Sequence, residues 1–377
     1  MNLRELETPC LVLERRKLDR NITRMRGHLA QLGVALRPHV KTAKSVEVAR
    51  LALEGQPGGI TVSTLKEAES FFAHGVTDIL YAVGITPTKL DHVADLRRRG
   101  ADVSVILDNP EAARIVAARG EALGIRFPVL IEIDSDNHRS GVKPADRVLL
   151  EIGRILDASR GADLRGVMTH AGESYHCDTV DKIRTMAIQE RDAVVQCAAR
   201  LTAASLPCPV VSVGSTPTAT YSEDLTGVTE VRAGVYVFFD LVMAGISVCA
   251  IDDIALSVLC TVIGHQLDKG WIIVDGGWMA LSSDRGTQNQ KVDQGYGMVC
   301  DISGNPVDDL LVSSTNQEHG IITRRDGGRA DCAGFPVGTL LRILPNHACA
   351  TAAPHDRYYV VNGDLEIAAT WPRFNGW

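Results

Sequence analysis

The chain has 377 residues, of which 45% are apolar and 23% charged, and its 39 basic and 46 acidic side chains leave a formal net charge of −7. This is the balance of a folded globular protein, and it excludes disordered, collagen-like and coiled-coil readings. The length exceeds what one hydrophobic core normally serves, so two domains are expected, and with no Lys/Arg stripe neither nucleic acid nor an anionic membrane is an expected partner.

The first nine residues, Met1 to Pro9, show no basic region followed by an apolar run, so no export signal is read there. From about residue 34, short apolar runs alternate with longer helical patterns. Strands are expected at Val34–Val40, Gly59–Ser63, Asp78–Val83, Val103–Leu107, Pro128–Ile133, Leu164–Thr169, Pro209–Val213 and Thr229–Val231. Between them, stretches such as Ser45–Leu53, Leu65–Ala73, Leu90–Arg99 and Asn109–Leu123 place apolar residues at intervals of three and four, as amphipathic helices do. Eight strands with helical crossovers imply a parallel sheet, and the count and span suit a (β/α)8 barrel over residues 1–244.

The most apolar stretch, Leu241 to Gly264, is interrupted by Asp252 and Asp253, and its clean remainder is too short to span a membrane. Beyond residue 245 the texture changes. Ile254–Ile263, Trp271–Val274, Gly338–Ile343 and Tyr358–Val361 are joined by Gly, Asp and Asn turns, which reads as a mostly antiparallel β domain over 245–377. The segment at about 8–14 is a candidate for pairing with it. Nine scattered cysteines follow no disulfide pattern and suit reduced thiols in the cytoplasm.

In a parallel barrel, chemistry sits where strands end and loops begin. The first strand runs into Arg37-Pro38-His39-Val40-Lys41-Thr42, and a lysine poorly solvated at a barrel mouth is freed to act as nucleophile or base. The fifth strand leads to Arg139, which suits an oxyanion, and the sixth to His170, which suits stacking on a planar ligand, with Tyr175 close by. The seventh and eighth end in Gly214-Ser215-Thr216 and Arg232-Ala233-Gly234-Val235, whose N–H groups and hydroxyls suit a phosphate. A phosphate loop at the same end as a lysine fits pyridoxal 5′-phosphate (PLP). In the β domain, Pro345-Asn346-His347-Ala348-Cys349 places His347 and Cys349 two apart; on an extended strand they share a face, and imidazole with thiolate suits Zn2+. Two ligands leave open positions. The cluster Asn316-Gln317-Glu318-His319 reads as a catalytic loop or a turn.

These motifs, together with Thr8-Pro9-Cys10-Leu11-Val12-Leu13 and Asp134 to Gly141, resemble the alanine racemase-like (fold-type III) PLP enzymes and, within them, the D-threonine aldolase/D-serine dehydratase family. The resemblance covers the chain in order. It implies that Lys41 binds the cofactor's aldehyde, that Arg139 lies near its phenolate oxygen and that His170 packs on its ring. It also implies that Ser215, Thr216, Gly234 and Val235 hold its phosphate; Arg232 would face the pyridine nitrogen, a position at which relatives vary. His347 and Cys349 match the dehydratase metal pair, where aldolases commonly carry Asp second. The implied activity is dehydration of β-hydroxy-D-amino acids, foremost 3-hydroxy-D-aspartate to oxaloacetate and ammonia, with D-serine as a further substrate. The rivals are an aldolase using the same PLP and metal, a racemase and a non-catalytic PLP carrier. The implied metal is Zn2+, with Mn2+, Co2+ and Mg2+ as alternatives, and the implied assembly is a homodimer.

Overall fold

A computed structural model describes all 377 residues. It divides into two compact units, one of Arg24–Gly234 with Gly376–Trp377, the other of Met1–Thr23 with Val235–Asn375. The division thus falls before Ala244, where the change of texture had set it. Strand β1 (Cys10–Glu14) belongs to the second unit.

The first unit is the expected barrel. Its parallel strands are β2 (Ala35–Pro38), β3 (Ile60–Val62), β4 (Asp78–Gly84), β5 (Asp102–Leu107), β6 (Phe127–Ile133), β7 (Ala162–Thr169), β8 (Val210–Val213) and β9 (Glu230–Ala233). They pair in the order β2-β9-β8-β7-β6-β5-β4-β3, and a parallel bridge between His39 and Thr61 joins β2 to β3 and closes the ring. All seven residues of β6 are buried, as befits a strand covered on both faces. The crossover helices begin at side-chain caps. Thr64 accepts the Glu67 N–H at 3.0 Å, and Asn109 accepts that of Ala112 at 2.8 Å with Pro110 in the first turn. In β7, Gly166 sits at φ 138° with no room for a side chain, because a Cβ there would lie 1.9 Å from the Val210 carbonyl oxygen.

The barrel interior carries a polar chain among apolar residues. Arg37 binds Glu230 at 2.7 Å and Asp78 at 2.9 Å; Glu230 accepts from Ser212 at 2.6 Å; and Arg232 reaches Ser212 at 2.5 Å and the Thr169 carbonyl. Arg37 and Glu230 are mostly but not fully buried, so removing one partner leaves the other charge poorly solvated. Arg37→Ala is therefore expected to lower stability by about 3 kcal/mol, read as a lower urea midpoint; a midpoint unchanged from wild type would show that the pair carries no stability.

In the second unit, β10 (Leu256–Gln266), β11 (Trp271–Val274), β12 (Met298–Cys300), β13 (Pro306–Thr315), β14 (Gly320–Arg324) and β15 (Leu340–Leu344) form a closed antiparallel ring in the order β10-β11-β14-β13-β12-β15. β1 extends it by pairing antiparallel with β10 and parallel with β16 (Arg357–Val361), which pairs in turn with β17 (Ile367–Pro372). Leu3, Cys10, Val12, Leu259 and Val361 form a core beneath β1. None of the nine cysteines is in a disulfide, and no helix is long and apolar enough to cross a membrane.

Candidate active site

The carboxyl ends of β2, β6, β7, β8 and β9 bring the barrel's candidate residues together. Lys41 follows β2 directly and is exposed, so the expectation of a poorly solvated lysine does not hold for this chain taken alone. What surrounds it is positive charge. Burial, and then the fields of Lys41, Arg232 and Arg139, push His39 well below the ordinary histidine range. Burial and the same three cations push His170 down as well. His170 Nδ1 lies 2.5 Å from the Gly214 carbonyl oxygen, which only accepts, so Nδ1 carries the proton and Nε2 is bare. Its ring stands 6.0 Å from that of Tyr175.

Arg139 is presented by a turn that the sequence writes in Asp134-Ser135-Asp136-Asn137. Asp134 Oδ1 accepts the N–H groups of Asp136 (3.2 Å) and Asn137 (2.7 Å), Asn137 adopts φ 60°, and Lys143 pairs with the other carboxylate oxygen at 2.5 Å. Both terminal nitrogens of Arg232 bind the barrel wall, at Ser212 and Thr169, and burial lowers its pKa to about 10.

Ser215 caps the short helix Thr216–Tyr221 and is buried, as is Thr216, whose hydroxyl has no protein partner. Gly234 lies against β2, and a Cβ there would come 2.9 Å from the His39 carbonyl oxygen. Val235 is buried at the start of a 3-10 turn. An orphaned hydroxyl, a glycine-lined backbone and three cations around two neutral imidazoles fit an anionic, phosphorylated ligand.

The second constellation corrects one expectation. His347 and Cys349 do not lie on a strand, because β15 ends at Leu344, Pro345 and Asn346 turn the chain, and the alanine-rich Ala348–Ala352 is helical. His347 caps that helix and Cys349 lies in its first turn, so the two side chains still meet. Asn346 is tied down by Thr287 (2.9 Å) and by the Gly295 carbonyl (2.6 Å). Buried Asp240 accepts the Ala348 N–H at 3.0 Å, and burial raises its carboxyl pKa.

Asp284, which nothing in the sequence marked, lies 2.7 Å from His347 Nδ1. Burial alone would lower the His347 pKa, but hydrogen bonds to Asp284 and Cys349 raise it to about 11. With Nδ1 engaged by Asp284, Nε2 is the nitrogen left for a ligand. Imidazole, thiol and an orienting carboxylate form a donor set that fits a divalent ion of the zinc type. Asp284→Asn is expected to weaken metal binding about 10- to 100-fold, read by competition with a chromogenic chelator; unchanged affinity would remove Asp284 from the site.

One further candidate is placed elsewhere. His319 sits on the exposed turn between β13 and β14, where Asn316 N–H meets the His319 carbonyl at 2.8 Å.

The chain belongs to the family described as alanine racemase, N-terminal domain, whose model matches residues 13–242. Residues 255–361 match a model described as "Putative serine dehydratase domain". Among individual proteins, the chain is 56% identical to D-threo-3-hydroxyaspartate dehydratase of Delftia sp. strain HT23 over 99% of this chain and 98% of that one. It is 29% identical to D-serine dehydratase of Dictyostelium discoideum (100% and 98% covered) and 30% identical to 3-hydroxy-D-aspartate aldolase of Paracoccus denitrificans (99% and 92%). The solved Delftia dehydratase superposes with a TM-score of 0.98 at 55% identity, covering both chains fully. Alanine racemase of Bacillus anthracis, at 14% identity and a TM-score of 0.72, shares the fold.

Proposed function

We propose that this protein is a PLP- and divalent-metal-dependent dehydratase of β-hydroxy-D-amino acids, converting 3-hydroxy-D-aspartate to oxaloacetate and ammonia and accepting D-serine. The observation that carries this reading is the meeting of His347 and Cys349 with Asp284 behind the imidazole, in a chain that also carries Lys41 three residues beyond the end of β2. Two solved variants of a D-threo-3-hydroxyaspartate dehydratase, one lacking a histidine and one a cysteine two positions later, support it, since the second is a metal-free form and His347 and Cys349 have the same spacing.

Lys41 would hold the cofactor through its aldehyde, Arg139 would face its phenolate oxygen, His170 with Tyr175 would pack against its ring, and Ser215, Thr216, Gly234 and Val235 would take its phosphate. Arg232, bound to Ser212 and Thr169, would act on the pyridine nitrogen with its remaining N–H groups. Bound PLP supplies a sink for the electron pair left at Cα, and a bound divalent ion supplies a Lewis acid for the β-oxygen. Lys41 Nζ would take the substrate's α-proton. His347 and Cys349 would hold the ion, Zn2+ by preference and Mn2+, Co2+ or Mg2+ otherwise, with Asp284 fixing the imidazole. Loss of the β-hydroxyl and hydrolysis of the enamine then give the 2-oxo acid and ammonia.

An aldolase reading has the 30% identical Paracoccus aldolase in its favour; there a base near the metal takes the β-hydroxyl proton and Cα–Cβ breaks. Cys349 in place of an aspartate favours dehydration. We infer a homodimer from the family resemblance and a cytoplasmic location from nine cysteines that form no disulfide. The deciding experiment offers D-threo-3-hydroxyaspartate to the enzyme with PLP and Zn2+. Ammonia and oxaloacetate, lost on chelation and restored by the ion, are expected; glycine and glyoxylate would overturn the dehydratase in favour of the aldolase.

A further inference from the structure

The helix Val180–Ala203 buries one acidic residue, Glu190, among its apolar contacts. Glu190 Oε1 accepts the N–H groups of Ala171 (2.9 Å) and Gly214 (3.0 Å), while Oε2 lies 2.6 Å from Thr218 Oγ1. These partners belong to the loops that follow β7 and β8. From Thr218 a line of oxygens continues: to Ser215 Oγ at 2.8 Å, from there to Ser174 Oγ at 2.8 Å, and from there to the Ala171 carbonyl oxygen at 2.6 Å. Each of these four contacts has O–H···O length and therefore needs one hydrogen between its oxygens. Thr218, Ser215 and Ser174 bring one hydroxyl hydrogen each, and the carbonyl brings none. The fourth hydrogen has to reside on Glu190.

We propose that Glu190 is a neutral carboxylic acid in the native protein and that its proton directs a relay, Glu190 to Thr218 to Ser215 to Ser174 to the Ala171 carbonyl, which positions Ser215 for the cofactor phosphate. The identity of that anion rests on the reading under Proposed function. Oε1 is the acid's carbonyl oxygen and takes both N–H groups; Oε2 carries the proton. Burial, without a cation at hydrogen-bond distance, favours the neutral form, and Arg232 is the charged group whose field opposes it. In this state Ser215 receives a hydrogen from Thr218 and is free to turn its own from Ser174 to a phosphate oxygen. In an ionised state Thr218 would give its hydrogen to the carboxylate, Ser215 would give its own to Thr218, and none would remain for a phosphate. Glu190 is thus a positioning residue.

Glu190→Gln copies the neutral acid: its amide oxygen accepts the two N–H groups and its NH2 donates to Thr218. Glu190→Ala breaks the relay. Equilibrium dialysis against PLP is expected to leave E190Q within about three-fold of wild type and to weaken E190A about ten-fold or more. Infrared difference spectra of wild type against E190Q, recorded without cofactor, are expected to show a protonated-carboxyl C=O band that shifts in D2O. Absence of that band, or an E190Q as weak as E190A, overturns the proposal. If E190A does not fold, the infrared comparison still decides. A wild type that binds no PLP would instead overturn the cofactor reading and the phosphate role with it, while the band would still report the proton.

Discussion

Replacing Lys41 by alanine is expected to abolish the absorption of lysine-bound PLP and to lower turnover about 10^3-fold or more, the scale of removing a positioned nucleophile and proton acceptor. The cofactor itself should be retained in part, because Arg139, Ser215, Thr216 and Gly234 are untouched by the substitution. No neighbouring lysine is placed to substitute. Lys44 pairs with buried Glu67 at 3.2 Å and Lys143 with Asp134 at 2.5 Å, so each would have to leave an acidic partner. The surrounding imidazoles are poor replacements as well. His39 and His170 are neutral, and the Nδ1 proton of His170 is committed to the Gly214 carbonyl. The measurement is an absorption spectrum with a single-turnover product assay on the variant. Persistence of the lysine-bound band would refute the assignment of Lys41 outright. Recovery of product formation on adding a small primary amine would place the loss on the missing amino group and not on a distorted barrel.

The barrel was legible in the sequence because its signal is local. Each strand is a short apolar run and each helix repeats at three and four. The β ring was legible only as a class, since which strand follows which is fixed by pairings between distant segments, such as β10 with β15 and β11 with β14. At the candidate site the same division holds. Lys41, His347 and Cys349 stand in short motifs that can be read directly. Asp284 and Glu190 do not, because what marks them is a partner 63 residues away for the first, and donors at Ala171, Gly214 and Thr218 for the second. A carboxylate in the middle of a long amphipathic helix reads as a solvated residue until the fold buries it. The strand drawn through His347 and Cys349 failed for a related reason. A five-residue helix lies below the length at which periodicity distinguishes it from an extended run.

Cys349→Ala is expected to separate the metal's contribution from the cofactor's. The variant keeps His347 and its partner Asp284, so one nitrogen ligand remains oriented, but the thiolate that complements it is gone. Affinity for Zn2+ should fall by about 10^2-fold or more, since one of the two proposed protein ligands is lost. Dehydration should fall about 10^3-fold, because expelling hydroxide without a Lewis acid forfeits several kcal/mol of transition-state stabilisation. The absorption of lysine-bound PLP should be unaffected. Cys349 is only half-buried, in the first turn of a short helix, so the loss of its sulfur should cost little folding stability, and the melting temperature serves as the control. Full dehydratase activity in a demonstrably metal-free variant would sink the metal-assisted mechanism. Cys349→Asp carries the argument one step further by restoring a ligand of the oxygen type at the same position. If the second ligand decides which bond breaks, this variant should regain metal affinity and release glycine and glyoxylate from D-threo-3-hydroxyaspartate. If it regains metal and still yields ammonia and oxaloacetate, the choice between dehydration and cleavage lies with the base that removes the proton, and Cys349 serves to hold the ion.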